Sequence, residues 1–377
     1  MSKGFNFDAR SRRIELANQR LRDAFARKPG APVPVVDAGG YSRPYTTKEL
    51  LADFDKMLDH AVRWANTMAA SDNDWPPFID TYVGVCMVAE AFGCEVVFEG
   101  REDPWTRPAV SDLAQVWQIK PPKVGESYMI RRTFEWIDFA QRKLGAEVPV
   151  WTMDLQSPFS VAAHIVDATD LLAACYTDPK AVHHLCDMIT DFSIEMMQQH
   201  IARMERPNFP GRNFPSIPDN IGICIADDTP LIMLSPEMYR EFALPYNSRI
   251  GDAFSGIHIH SCGDYRHNME NLLLIRNIRS VQLHAGVGEF PLPATPDEDC
   301  AFNRTRGKVT MLVDANRISR GDEFADRPKD FYADYMLPRL QQDELTGVIL
   351  QSCGPGQDLP GIADALAWTR RQLGATR

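Results

Sequence analysis

In this chain of 377 residues no apolar run approaches the ~18 residues of a membrane-spanning helix, no tract is of low complexity, and positive charge is not in surplus. The first absence argues against helical membrane spans and the second against a disordered or fibrous chain, leaving a soluble globular protein as the expectation. The third bears on partners: 40 Lys and Arg against 51 Asp and Glu leave a net charge of −11, whereas a nucleic acid would need a basic surface. Residues 1–30 are polar and arginine-rich, without the apolar centre of a secretory signal, so the expected location is cytoplasmic. No disulfide framework is visible either. The eight cysteines, at 86, 94, 175, 186, 224, 262, 300 and 353, are scattered, as reduced thiols are. Finally, there is no G-x-G-x-x-G after the first apolar run and no G-x-x-x-x-G-K-[ST], which disfavours dinucleotide-binding and P-loop folds.

What is present is a repeated alternation. Short apolar runs bounded by turn residues occur at 32–40, 77–84, 148–156, 221–228, 256–262, 280–286, 309–315 and 347–353, eight in all. Segments of helical period lie between them: 46–69, opened by Thr46 with Glu49 three positions on as a capping box, then 178–204, 235–254 and 359–374. Eight strand and helix units predict an α/β fold of the (β/α)8 TIM-barrel type, one domain over 31–377 with an N-terminal helical extension over 1–30. "CEVVFEG", 94–100, reads as an extra strand or hairpin.

The stretch "GIHIHSCGDY", 256–265, then carries the chemistry. Side chains alternate across a strand, so His258, His260 and Cys262 share one face and Ile257 and Ile259 the other. In a barrel the apolar face packs on helices, which turns the histidines and the cysteine inward near the strand's C-terminal end, where barrel enzymes build their sites. By the same alternation "GVILQSC" brings Gln351 and Cys353 inward, and "SVQLHAG" brings Gln282 and His284. Imidazoles and thiols from three strand ends suit zinc, a borderline-soft ion that accepts both. His260, Cys262, Cys353 and His284 are therefore the candidate metal ligands, with His258 one layer deeper. The alternative is a set of buried, hydrogen-bonded histidines beside inert cysteines.

Carboxylates and other polar groups end the remaining strands. Asp227, Asp154 and His258 are candidate catalytic residues, because adjacent carboxylates such as Asp227 and Asp228 can raise one another's pKa and supply an acid or base. Asp37, Tyr82, Gln156, Asp228 and Gln351 are candidate substrate-binding residues, Asp228 also being a candidate helix cap before Thr229-Pro230, and Asp314 ends the seventh strand.

The stretches "HSCG", "IADDTPLIMLSPEMYREFALPYNSRI", "DLQSPFSVAAHIVDATDLLAACYTDPKAVHHLCDMITD" and "LQSCGPGQDLP" resemble the uroporphyrinogen decarboxylase superfamily from about residue 148 onward, and more weakly before it. The resemblance implies a (β/α)8 barrel, in agreement with the strand count. Metal-free decarboxylases of that superfamily carry an arginine-containing motif near the N-terminus, where this chain reads "VVDAGGYSR" with Asp37. The zinc-dependent methyltransferase branch carries H-x-C on one strand and a distant cysteine on the last, which His260, Cys262 and Cys353 match. Relatives in that branch take a glutamate from the strand after H-x-C; here that place offers His284, with Glu289 a few residues on.

The resemblance thus implies a zinc methyltransferase that moves a methyl group between a corrinoid, or a small methylated substrate, and a thiol or related acceptor. The chain has no D-x-H-x-x-G motif for a corrinoid, so a separate corrinoid protein is the expected partner, beside the small-molecule substrate; a homodimer is compatible with this. Two other readings stand: a metal-independent decarboxylase or lyase, and a non-catalytic barrel with a structural zinc.

Overall fold

The computed structural model describes residues 12–37, 43–70, 74–99, 103–146, 148–205, 207–208, 222–284, 299–314, 330, 333–334, 337–340, 346–352, 368–369 and 371–372. Helix α1 (Arg12–Phe25) opens the described chain, and its apolar residues Ile14, Ala17, Leu21 and Ala24 fall on one buried stripe. Strand β1 (Val35–Asp37) follows, then α2 (Thr47–Ala52) and α3 (Phe54–Ala70). The Thr46–Glu49 capping box is present. The helix expected over 46–69 is two helices, because the Asp53 carboxylate accepts the amides of Asp55 and Lys56 and restarts the helix there. Helix α4 (Met87–Ala91) precedes β2 (Glu95–Val97) and β3 (Trp105–Arg107), an antiparallel pair where "CEVVFEG" suggests a hairpin.

After α5 (Tyr128–Leu144) come β4 (Val150–Trp151), the helices α6 (Pro158–Ile165), α7 (Ala168–Thr177) and α8 (Pro179–Ala202), then β5 (Pro207–Asn208) and β6 (Ile223–Ala226). Next are α9 (Asp228–Met233), α10 (Pro236–Phe242) and α11 (Leu244–Ala253), the last two meeting at Ala243 within the single helix expected over 235–254; Pro245 in the first turn of α11 has no N–H to continue the α10 ladder. Strands β7 (Ile257–His260), β8 (Ile278–His284), β9 (Thr310–Asp314) and β10 (Val348–Ser352) complete the set.

Six of these strands form one parallel sheet in the order β1-β10-β9-β8-β7-β6. The ring continues beyond β6 through the Gln156–Ala226 bridge, the β4–β5 pair and the Ile79–Val150 bridge, and the Asp74 amide reaches the Val35 carbonyl at 2.8 Å on β1. This is the (β/α)8 barrel. Its second strand is reduced to the bridge at Ile79, because Pro76 and Pro77 just before it lack amide protons for a ladder.

Inside and outside separate by alternation. Val36, Trp151, Cys224, Leu312 and Ile349, on strands that are mostly not neighbours, pack in one cluster, and such strands meet only across the interior. Their sequence neighbours Val35, Ile223, Ile225, Val313, Val348 and Leu350 pack outward with the helices. Leu21 and Ala24 of α1 join the interior cluster, the Thr310 hydroxyl at the start of β9 donates to the Ala24 carbonyl at 3.3 Å, and Phe25 meets the edge of His258 at 5.6 Å. Helix α1 therefore closes the end of the barrel where the strands begin. Among the described residues no single helix is long and apolar enough to cross a membrane.

Candidate metal centre

At the opposite end, β7 runs out through His260 to Cys262. His260 is buried and Cys262 exposed, so the pair sits at the rim, and His260 Nε2 lies 3.2 Å from Cys262 Sγ. The neighbouring strand supplies a third group. Ala226 pairs in register with His260, the Asp227 amide donates to the His260 carbonyl at 2.9 Å, and the chain then turns into α9 so that the Asp228 carboxylate accepts the Cys262 amide. One ligand atom each from Asp228, His260 and Cys262 lies within 4.8 Å of the others, a group of three that could hold a metal ion.

The imidazole is oriented for that role. Gln282 Oε1, on β8, contacts His260 Nδ1. An amide oxygen only accepts, so the proton of the neutral ring sits on Nδ1 and Nε2 turns its lone pair toward Cys262. The backbone of Gln282 is itself held, since its main-chain carbonyl accepts the hydroxyl of the buried Tyr265. Burial pushes the Tyr265 pKa well up, which keeps that hydroxyl a donor. Gln282 and Tyr265 were not among the sequence-derived site residues; the alternation shared by Gln282 and His284 is the signal that marks the first.

His258 lies one layer below. It is fully buried, with Nδ1 2.6 Å from the Ser280 hydroxyl and Phe25 at its edge, a support within the barrel and not part of the group of three. Asp154 and Gln156 are also buried, with Gln156 bridging Ala226. Burial first, then the charges of Asp154 and Asp228, hold the Cys224 thiol well above its ordinary pKa, so this interior cysteine stays neutral. Gln351 is 3% exposed, and its Oε1 has no hydrogen-bond partner among the described residues. The Tyr82 hydroxyl donates to Asp103 at 2.8 Å, a carboxylate that also receives Arg43 and Thr47, which ties Tyr82 to the β3 side of the chain.

The two adjacent carboxylates exchange their expected roles. Asp227, expected as an acid or base in the site, is instead on the helix side of the sheet, where Tyr239 and Asn247 bind its Oδ2; Asp228, expected to bind substrate or cap a helix, joins the group that could hold a metal ion. The reason is the period of two: Cys224, Ala226 and Asp228 share the inner face. Burial pushes the Asp227 carboxyl up to about 6 against the hydrogen bonds from Tyr239 and Asn247. Asp37, His284 and Asp314 occupy strand ends, pairing in register as Asp37 with Ser352 and His284 with Asp314, but their side chains lie outside the described residues, as do Cys353 and Glu289 entirely.

Residues 16–203 match the family described as Uroporphyrinogen decarboxylase (URO-D). A methylated-thiol–coenzyme M methyltransferase from Methanosarcina mazei is 28% identical over 184 residues, 48% of this chain and 45% of the relative. A uroporphyrinogen decarboxylase from Xanthomonas axonopodis pv. citri is 26% identical over 172 residues, 44% of this chain and 43% of the relative. The matched segment thus spans under half the length of these relatives. Among solved structures, a methyltransferase from Methanosarcina mazei superposes with a TM-score of 0.66 at 15% identity, covering 95% of this chain and 99% of its own. A B12-independent methionine synthase from Shewanella sp. W3-18-1 gives 0.51 at 12% identity, covering 92% and 99%. At these identities the two structures establish the shared fold.

Proposed function

We propose, from the premise that the chain belongs to the uroporphyrinogen decarboxylase superfamily, that it is a zinc-dependent methyltransferase. It moves a methyl group between a corrinoid carried on a separate protein, or a small methylated molecule, and a thiol or related acceptor. The observation that carries this reading is the group of three donors at the barrel mouth, with His260 Nε2 facing Cys262 Sγ at 3.2 Å and Asp228 within reach of both. Nitrogen, sulfur and oxygen donors together fit zinc, and three protein ligands leave room for Cys353 as a fourth or for an incoming group.

Zinc held there would lower the pKa of a bound thiol and so supply a thiolate at neutral pH. The chain's own groups do the rest. Gln282 fixes the imidazole tautomer, Asp228 braces the Cys262 amide, and the exposed Cys262 leaves the donor set open to molecules arriving at the rim. In the transfer a sulfur–carbon bond forms as the methyl group's bond to its donor breaks, the electron pair leaving with the donor and the thiol proton passing to solvent.

Elemental analysis of the purified chain tests this, and about one zinc per chain is expected from a single three- or four-ligand site. His260→Ala and Cys262→Ala should lose the metal, and the visible spectrum of the cobalt-substituted protein should change when a thiol is added. A chain that folds without metal and transfers no methyl group, or a cobalt spectrum indifferent to every thiol, would overturn it. Decarboxylation by metal-free protein would favour the other activity among the matched relatives.

A further inference from the structure

We propose that Asp227 is a positioning residue: it pins the end of β6 to helices α10 and α11 and so holds Asp228, His260 and Cys262 at their mutual spacing. The inference rests on the metal-binding reading above. Asp227 is fully buried. The Tyr239 hydroxyl of α10 donates to its Oδ2 at 2.6 Å, and Asn247 Nδ2 of α11 donates to the same oxygen at 2.9 Å while reaching the Tyr239 oxygen at 3.2 Å. Two helices thus converge on one carboxylate oxygen.

From that anchor the chain reaches His260 directly and Cys262 through Asp228. The Asp227 amide donates to the His260 carbonyl at 2.9 Å, and Asp228, the next residue, accepts the Cys262 amide. A shift of Asp227 therefore moves the carboxylate of one donor and the backbone of the other two together.

Packing alone does not call for an acid at this place. Ile223 and Ile225, on the same outward face, are apolar and fully buried, as a helix-covered face prefers. Burying a carboxylate costs more than burying a side chain of the same volume without charge, and replacing buried polar groups with apolar ones is often neutral or stabilising. What the acid adds over an isoleucine is direction, because hydrogen bonds from two sides fix where the strand end sits.

The test uses the full chain with Tyr239→Phe, which removes one hydroxyl, and Asp227→Asn. Two quantities are read at a temperature where all proteins are folded: zinc affinity by chelator competition, and the rate at which iodoacetamide alkylates Cys262 in metal-free protein, followed on the peptide that contains it. Both variants should bind zinc ~10-fold or more weakly, as for lost groups that orient metal ligands, and should alkylate at a changed rate. Leu21→Ala, at the far end of the barrel, serves as the control for lost stability and should change neither. Variants that keep the parent's zinc affinity and alkylation rate would overturn the proposal. Should the parent bind no zinc, the metal reading fails, while the alkylation rates still decide whether Asp227 places Cys262. If Asp227→Asn does not fold, Tyr239→Phe decides alone.

Discussion

Gln282 shows how much a single side chain can set. It accepts the Nδ1 proton of His260, and so chooses which imidazole nitrogen faces Cys262. Gln282→Leu keeps the volume and removes the acceptor, so zinc affinity should fall ~10- to 100-fold while the fold persists, as chelator competition would read. An unchanged affinity would mean that packing alone orients the ring. At this scale the division of "GIHIHSC" was legible in the sequence, because alternation puts His258, His260 and Cys262 on one face whatever the surroundings. The division between Asp227 and Asp228 follows from the same alternation, since Ile223 and Ile225 face the helices and so put Asp227 outward and Asp228 inward; the adjacency of two carboxylates masks it, and the pairing of Ala226 with His260 fixes the phase of β6.

Among the elements, the strands rich in Val and Ile announced themselves, while the second was obscured by Pro76-Pro77 and survives as one bridge at Ile79. Helix breaks at Asp53 and Ala243 were hidden for the opposite reason: the apolar period runs through both, and only the local caps and Pro245 interrupt it. Helix α1 contributes to the interior of the barrel. Leu21 is fully buried among residues from β1, β4, β6, β9 and β10, so Leu21→Ala should cost about 3 kcal/mol in urea unfolding, in the usual range for a leucine cut back in a packed core. Metal content should stay as in the parent, because α1 lies at the end away from His260 and Cys262. Loss of metal in the folded variant would show that the two ends are coupled.

Across the whole molecule, buried histidines set the response to acid. Burial, followed by the charge of Arg43, lowers His60 to about 4. His200 is lowered to about 3, chiefly by burial, and its Nε2 accepts the Met153 amide at 3.1 Å, which requires an unprotonated nitrogen. Both pKa values lie below that of an unfolded histidine, ~6.5, so the unfolded chain takes up protons first; their stabilisation is complete above that pH and is lost as pH falls toward 4 and below. Asp227, raised to about 6, opposes one of them over pH 4–6. The urea midpoint should therefore fall between pH 7 and pH 4, and His60→Gln should remove about 3 kcal/mol of that fall, at ~1.36 kcal/mol for each pH unit of the shift. A midpoint level across this range would contradict the neutral, buried state of His60.

Helix α1, seated across the strand starts, makes the barrel a cul-de-sac. Among the described residues, reactants then reach the candidate site by the rim that carries Cys262. In the proposed transfer, a carrier protein is too large to enter, so it must present its methyl group at the threshold, and the acceptor must use the same threshold. Under that proposal the two partners would share a berth or take turns in it, and competition between them would follow from the architecture.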